Sequence, residues 1–177
     1  MITNEDRRFP APLAAAMAVR LGSMGEEGVD FEPFEAFMSA DETTEWFRAW
    51  TGNRELNGDR FRVFGQDGTG GYAALWLIRP DRVLVEQPIV FLGSEGETGV
   101  VARNLGAFLW LLADGFGPWE AATSYDRKPE WGPHRNRALT AIAEQFAPDL
   151  RAPAATVIEQ ATREFPDFDD TIMELCR

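Results

Sequence analysis

The chain has 177 residues, a hydrophobic fraction of 45% and a formal net charge of −12, which together indicate a folded globule long enough to bury its own core. The acidic balance disfavours binding to nucleic acid or to anionic membranes, because both need basic protein surface. A single cysteine excludes an internal disulfide, and a single histidine excludes a multi-histidine metal site.

The N-terminal residues predict a short helix rather than an export signal. Arg7 and Arg8 precede an apolar run at 13–19 that superficially resembles a twin-arginine signal, but acidic residues and prolines interrupt the region. No run in the chain approaches the ~20 apolar residues that a membrane helix requires. We therefore expect a cytoplasmic protein whose first helix lies near Leu13–Leu21.

An acidic segment follows at residues 26–47, with eight acidic residues and no basic one. Within it, Ser39-Ala-Asp-Glu42 fits the capping box, in which Ser39 begins a helix and the Glu42 side chain bonds back to the Ser39 backbone. Trp46 and Trp50 then follow at helical spacing. Aromatic residues in this pattern are typical of a helix face that packs on a core.

The next segment predicts an antiparallel sheet. Arg60–Phe64 alternates basic and apolar residues, as in a strand with one solvent-facing side. The four glycines of Gly65–Gly71 predict a hairpin turn with positive-φ positions. Tyr72–Ile78 is apolar on both faces, which is typical of a central strand. Val83–Glu86 and Pro88–Leu92 predict two further short strands.

Helices are predicted after the strands. Gly93–Thr98 is an acidic loop that we expect to lead into a helix over Val101–Leu112, whose apolar residues recur at helical spacing. Two amphipathic helices are predicted around Leu139–Phe146 and Val157–Phe165, each ending at a proline. A short helical turn is predicted around Ile172–Leu175.

No cofactor and no metal site are predicted. The Gly65–Gly71 segment lacks the P-loop lysine and the G-x-G-x-x-G spacing, and it leads into a strand, whereas both phosphate-binding motifs open a helix. His134 is not predicted to be a metal ligand. It ends Tyr125–His134, a polar and aromatic loop that is either a recognition loop or a packed connector.

Glu95 and Glu97 have two interpretations. Before the predicted helix, their negative charges would interact favourably with its N-terminal dipole. Alternatively, they belong to a carboxylate surface for a partner rich in arginine or lysine. Catalysis would require two carboxylates in a cleft with separated pKa values, and the sequence shows no such arrangement. No catalytic residue is therefore predicted.

Several weak motifs occur in a characteristic order. They are Phe64-Gly-Gln-Asp-Gly-Thr-Gly-Gly-Tyr72, the apolar strand through Ile78, Pro88-Ile-Val-Phe-Leu92 and Val101-Ala-Arg-Asn-Leu-Gly-Ala-Phe-Leu109. In this combination the segment resembles the SMI1/KNR4 family, also called SUKH domains. The helical tail beyond Asp114 does not share the resemblance.

The resemblance implies an α+β fold, with a small antiparallel sheet and helices packed on one side, here joined to a helical C-terminal extension. We predict one SUKH-like domain over residues 1–177, with its core at 30–115 and the extension at 116–177. The resemblance also implies a non-enzymatic protein-binding module. Bacterial members of the family are immunity proteins of toxin systems, and fungal members are regulatory scaffolds.

The leading hypothesis is an immunity protein that neutralises a cognate toxin by covering its surface. An acidic protein would be steered towards a basic toxin, such as a nuclease that must hold phosphates. The candidate partner-binding residues are Gln66, Asp67, Thr69, Tyr72 and Glu95.

Two alternatives remain open. The first is an intracellular regulatory or scaffold protein whose partner is another cellular protein. The second is a small-molecule-binding protein or enzyme with a pocket between sheet and helices, which would be lined by Trp46, Trp76 or Trp110 together with convergent polar groups.

Overall fold

The computed structural model describes residues 6–21, 29–123 and 134–177. Its centre is a five-stranded antiparallel sheet in which the strands lie side by side in chain order. The strands are β1 (Glu32–Pro33), β2 (Phe61–Gln66), β3 (Tyr72–Trp76), β4 (Ile89–Leu92) and β5 (Thr98–Ala102). The predicted α+β class with an antiparallel sheet is confirmed, and the apolar strand of the prediction is the central one, β3.

Seven α-helices lie around the sheet in the described ranges. They are α1 (Ala11–Met17), α2 (Ala40–Thr51), α3 (Leu105–Ala113), α4 (Pro118–Ala122), α5 (Arg137–Phe146), α6 (Ala154–Glu164) and α7 (Phe168–Met173). Short 3₁₀ helices occur at Leu84–Glu86 and Pro148–Leu150. The helices predicted in the C-terminal extension are confirmed as α5, α6 and α7.

The sheet is covered on both faces. On one face, apolar side chains of the sheet pack with α1, α3 and α5 around Phe64, Phe91 and Phe108, and we call this the first core. On the other face, α2 and α7 pack on the sheet around Phe47 and Phe168, and we call this the second core. The predicted one-sided packing corresponds to the first core, and the second core is completed largely by the C-terminal extension.

The edges of the sheet are also covered. Helix α6 packs along β5 and contributes buried residues to both cores, with Val157 in the first and Ala161 in the second. At the opposite edge, β1 is two residues long and contains Pro33, which has no N–H to donate. The chain after β1 continues along β2, where the Phe34 N–H donates to the Phe64 carbonyl at 2.9 Å.

The prediction of one solvent-facing side for the first long strand is wrong. Arg62 in β2 is only 4% exposed, and its paired residue across the ladder is Leu75 of the first core. The neighbouring Phe61 and Val63 point to the second core. The helices of the first core, which cover the side of β2 that carries Arg62, come from segments distant in the chain, so alternation within β2 could not reveal them.

The β2–β3 hairpin is confirmed, but its glycines serve different purposes. Only Gly70 has a positive φ, of 90°. A Cβ atom on Gly65 would clash with the Phe31 ring, and one on Gly71 would clash with the Phe91 ring. Close packing therefore requires two of these glycines, and turn geometry requires one.

Two element predictions between β3 and α3 are wrong. The segment 83–86 forms the 3₁₀ helix Leu84–Glu86, not a strand. The loop at 93–97 leads into β5, and α3 begins only at Leu105, where the Asn104 side chain accepts from the Ala107 N–H at 2.8 Å. Glu95 and Glu97 therefore precede a strand, and their interpretation as partners of a helix dipole is wrong.

The capping box at the start of α2 is confirmed. The Glu42 N–H donates to the Ser39 hydroxyl oxygen at 3.3 Å, and the Ser39 N–H donates to the Glu42 carboxylate at 3.0 Å. Hydrogen bonds from the Ser39 side chain and backbone hold the pKa of Glu42 below its ordinary value. These bonds fix where α2 starts and therefore which of its residues face the sheet.

Helix α1 occupies Ala11–Met17, so it begins two residues and ends four residues earlier than predicted, and it buries Leu13 and Ala16 in the first core. Its burial agrees with the interpretation as a packed structural helix. Among the described helices, none combines the length and the apolar character needed to cross a membrane.

Candidate functional site

The antiparallel strand order brings two turns to the same end of the sheet. Residues 67–71 join β2 to β3, residues 93–97 join β4 to β5, and the Ser94 hydroxyl donates to the Thr69 hydroxyl at 3.2 Å. Strand β1 starts here too, because Glu32 pairs with Gln66. We call this region the acidic end of the sheet. Its carboxylates are Asp30, Glu32, Asp67, Glu95, Glu97 and Asp169.

The structure brings all five predicted partner-binding residues to the acidic end. Gln66 donates from its side-chain amide to the Glu32 carboxylate at 3.2 Å. Thr69 and Glu95 are exposed on the two turns, and the Glu95 carboxylate has no hydrogen bond or ion pair with any residue that the structure describes. Of the five, Glu95 is therefore the carboxylate most available to a partner.

Asp67 has a structural role in its turn. Its side chain is buried, with 3% exposed, and its Oδ1 atom accepts from the Gly71 N–H at 2.8 Å, the Thr69 N–H at 3.0 Å and the Thr69 hydroxyl at 2.9 Å. A carboxylate with this many internal donors closes the turn and presents Thr69 at its tip. Asp67 would act on a partner through the shape of the turn.

The second turn is fixed to α2. The Gly93 N–H donates to the Glu97 carbonyl at 2.6 Å, and the Glu97 carboxylate accepts from the Glu95 N–H at 3.2 Å. The indole N–H of Trp50 donates to the Gly93 carbonyl at 2.7 Å. Helix α2 and the turn that carries Glu95 therefore form one fixed surface.

Half-buried aromatic side chains lie beside these turns, and we call them the aromatic shelf: Phe34, Trp46, Trp50 and Tyr72. The rings of Trp46 and Tyr72 pack edge to face with their centroids 5.0 Å apart. The rings of Phe34 and Tyr72 also pack edge to face, with a centroid distance of 6.1 Å. The Tyr72 hydroxyl makes no hydrogen bond within the described residues. Aromatic residues with a polar tip left free are enriched in the centres of protein interfaces.

A cavity of about 430 Å³ borders the acidic end. It lies between residues 17–21, at and just after the end of α1, and residues 30–33 around β1, and Gly68 closes one side. Asp30, Glu32 and Arg20 supply its charged groups. The cavity is open and of mixed polarity, which differs from the enclosed apolar pockets typical of small-molecule sites.

The three tryptophans of the small-molecule alternative pack away from the cavity. Trp76 packs in the second core between Phe165 and Phe168, at centroid distances of 5.5 and 4.9 Å. The Trp110 indole donates to the Ala147 carbonyl at 2.8 Å. Trp46 belongs to the aromatic shelf. None of the three lines the cavity beside α1.

Several predicted features have no counterpart at the acidic end. Tyr125–Pro133 lies outside the described residues, and His134 is exposed. In the described part of the chain, no group of three or more histidine, cysteine, aspartate or glutamate side chains is arranged to hold a metal ion.

The sequence interpretation missed four residues of the acidic end: Asp30, Glu32, Ser94 and Asp169. The acidic run at 26–47 was a signal for the first two, but it did not show that β1 pairs with the end of β2. Asp169 reaches the site from α7, where its Oδ1 accepts from the Thr98 hydroxyl at 2.6 Å. Only the tertiary fold brings it there.

No family model, no curated protein and no solved structure matches this chain. The resemblance to the SMI1/KNR4 family stays a prediction supported by the motifs themselves.

Proposed function

We propose that this chain is a non-enzymatic protein-binding module that acts as a cytoplasmic immunity protein and neutralises a basic toxin. The toxin would bind at the acidic end of the sheet. One observation supports this proposal most directly. Exposed carboxylates and the half-buried aromatic shelf lie next to each other on one fixed surface.

The two kinds of side chain would contribute in different ways. Aromatic anchors such as Trp46 and Tyr72 would supply most of the affinity, because they bury large areas at a small cost in side-chain entropy. The carboxylates, above all Glu95, would accelerate encounter with a basic surface and disfavour acidic partners. A nuclease fits this description, since its substrate site must be basic to hold phosphates.

The acidic end is also held in one conformation before binding. The turn at 67–71 is closed by Asp67, and the turn at 93–97 is tied to Trp50. A surface that is already ordered loses little conformational entropy when the partner binds, so more of the contact energy appears as affinity.

The test requires a candidate toxin, which is to be sought among the genes next to the one that encodes this chain. Cells that express the toxin alone should stop growing, and co-expression of this chain should restore growth. Binding of the purified proteins, measured by biolayer interferometry, should weaken as salt is raised. Absence of both rescue and binding would overturn the proposal, and binding without rescue would favour the regulatory or scaffold alternative.

A charge reversal at the acidic end provides the matched variant. Glu95→Lys should reduce the association rate by about 3- to 10-fold. Asp149→Lys carries the same charge change on the exposed 3₁₀ helix that packs near the start of α3, away from the acidic end, and should leave the rate unchanged. Equal effects of the two variants would rule out recognition at the acidic end.

A further inference from the structure

The end of the sheet opposite to the acidic end carries arginines. We call it the arginine end, defined by Arg60, Arg62, Arg79, Arg82 and Arg103. Two of these side chains have acidic partners, because Arg79 pairs with Glu164 and Arg82 pairs with Glu86. Arg62 differs from them because it is buried and makes no hydrogen bond or salt bridge to an acidic side chain among the residues described, although the charge of Asp59 acts on it.

Arg62 extends into the first core. Its position in β2 pairs with Leu75 of β3, and the same row continues through Ile89 and Ala102, which all belong to that core. Within the described residues the side chain makes one long hydrogen bond, from Nη1 to the Phe61 carbonyl at 3.4 Å. Its Nε and Nη2 atoms are buried and have no hydrogen-bond acceptor within the part of the chain that the structure describes.

Such an arrangement is unfavourable unless another group completes it. Burial lowers the pKa of the Arg62 guanidinium, an effect that the charge of Asp59 partly offsets, but a guanidinium still stays protonated in proteins. Two buried donors without acceptors destabilise the fold, and a buried charge that is only partly compensated destabilises it further.

The identity of the two free donors points to a class of ligand. Nε and Nη2 lie on the same edge of the planar guanidinium and direct their N–H groups side by side. This edge matches two oxygens of one carboxylate or one phosphate, which accept two parallel hydrogen bonds. The long bond from Nη1 leaves that edge unused.

We propose that Arg62 anchors an oxyanion site at the arginine end, in which the Nε–Nη2 edge binds a carboxylate or phosphate group. Arg60 is exposed two residues earlier and has no hydrogen bond or ion pair from its side chain in the described structure, so it offers a second cation at the rim. Because the free edge is buried, binding requires the covering side chains to open. This site is independent of the proposed immunity function.

The experiment follows the Nε–Hε signals of arginine in ¹⁵N-labelled full-length protein by NMR. The Arg62 signal is identified by its absence in Arg62→Met. Sodium acetate and sodium phosphate are added in separate titrations, each against sodium chloride at equal ionic strength. The expected result is a saturable shift of the Arg62 signal with one or both oxyanions and none with chloride, and the two titrations show which group the site prefers.

Thermal unfolding gives a second measurement with matched variants. The oxyanion that shifts the signal should raise the Tm of the wild type, and Arg62→Met should lose this rise. Arg62→Lys keeps the charge but lacks the planar edge, so it should bind the oxyanion at least about tenfold more weakly than the wild type does. Arg137→Met, at an exposed site in α5, should respond as the wild type does. An NMR signal unmoved by both oxyanions, or an equal Tm rise in Arg62→Met, would overturn the proposal.

Discussion

The two ends of the sheet differ in how they hold their charges. At the acidic end, the buried carboxylate of Asp67 accepts several internal hydrogen bonds, and the other carboxylates are at least partly exposed. At the arginine end, the buried guanidinium of Arg62 has two donors that find no acceptor among the described residues. Both residues lie on β2 or directly after it, with nearly the same burial.

The comparison shows that burial alone does not determine what a charged residue contributes. Asp67 stabilises the fold, because its hydrogen bonds replace those it would make with water. Arg62 destabilises it, because its lost hydration is not replaced. The following predictions test this difference, beginning with the largest expected change in stability.

Removing the Asp67 carboxylate should have the largest effect. Asp67→Ala deletes the acceptor for the Gly71 and Thr69 N–H groups, so we expect a loss of about 2–4 kcal/mol in the free energy of unfolding. Urea denaturation followed by circular dichroism measures it. Glu95→Ala is the control at the same end and should stay within about 0.5 kcal/mol of the wild type. Equal stability of the two variants would contradict the role given to Asp67.

Replacing the Arg62 guanidinium should act in the opposite direction. Arg62→Met removes a buried charge that is only partly compensated and keeps most of the side-chain volume, so we expect the free energy of unfolding to rise by about 1–3 kcal/mol. The same urea measurement applies, with Arg137→Met as the exposed control. A variant less stable than the wild type would mean that Arg62 is paired in solution.

The capping box of α2 should contribute less, and its contribution should depend on pH. Ser39→Ala should lower stability by about 1 kcal/mol at pH 7. The pKa of Glu42 in the folded chain lies below its ordinary value of 4.5, so the ionised carboxylate stabilises the fold above that value. This stabilisation is lost as pH falls through the lowered pKa.

Unfolding of wild type and Ser39→Ala, measured at pH 7 and in steps below pH 4.5, should therefore show a difference that shrinks as the solution becomes more acidic. A difference that stays constant over this range would show that the Glu42 charge does not contribute to the cap.

The smallest change in stability is expected for Glu95→Lys, which should lie within about 0.5 kcal/mol of the wild type. Its effect on partner binding should nevertheless be the clearest, because the side chain is exposed and unpaired among the described residues. The association rates of the wild type and of Glu95→Lys with the partner should converge as salt is raised, because salt screens the charges. Rates that differ equally at all salt concentrations would indicate a steric effect.

The sequence predicted the parts of the fold that depend on neighbouring residues. The capping box at Ser39 and Glu42 is local, and it placed the start of α2 correctly. The apolar run of β3 identified the central strand. The prolines at 148 and 166 marked the ends of α5 and α6 closely, because a proline cannot continue a helix.

Errors occurred where two patterns overlap. Val101 lies four residues before Leu105 and so fits the helical face of α3, but it is part of β5, between two residues that pair with β4. Two adjacent β-branched residues, Val100 and Val101, favour a strand, which agrees with their position in β5.

The sequence predicted where the site residues lie better than it predicted what each of them does. Turn chemistry identified the segment around Asp67 and Thr69, and the structure places it on the same surface as Glu95. The sequence did not show that Asp67 bonds inward or that α7 would bring Asp169 to the same surface. Both depend on packing between segments that are distant in the chain, as does the burial of Arg62.

The covered edges of the sheet limit how another chain can attach to it. With β5 backed by α6 and β1 shortened at Pro33, the sheet offers little free backbone for strand addition, the mode in which a peptide extends a sheet through main-chain bonds. Recognition would then have to use side chains and turn tips. Single substitutions should consequently alter partner choice, and edge-to-edge aggregation should be slow.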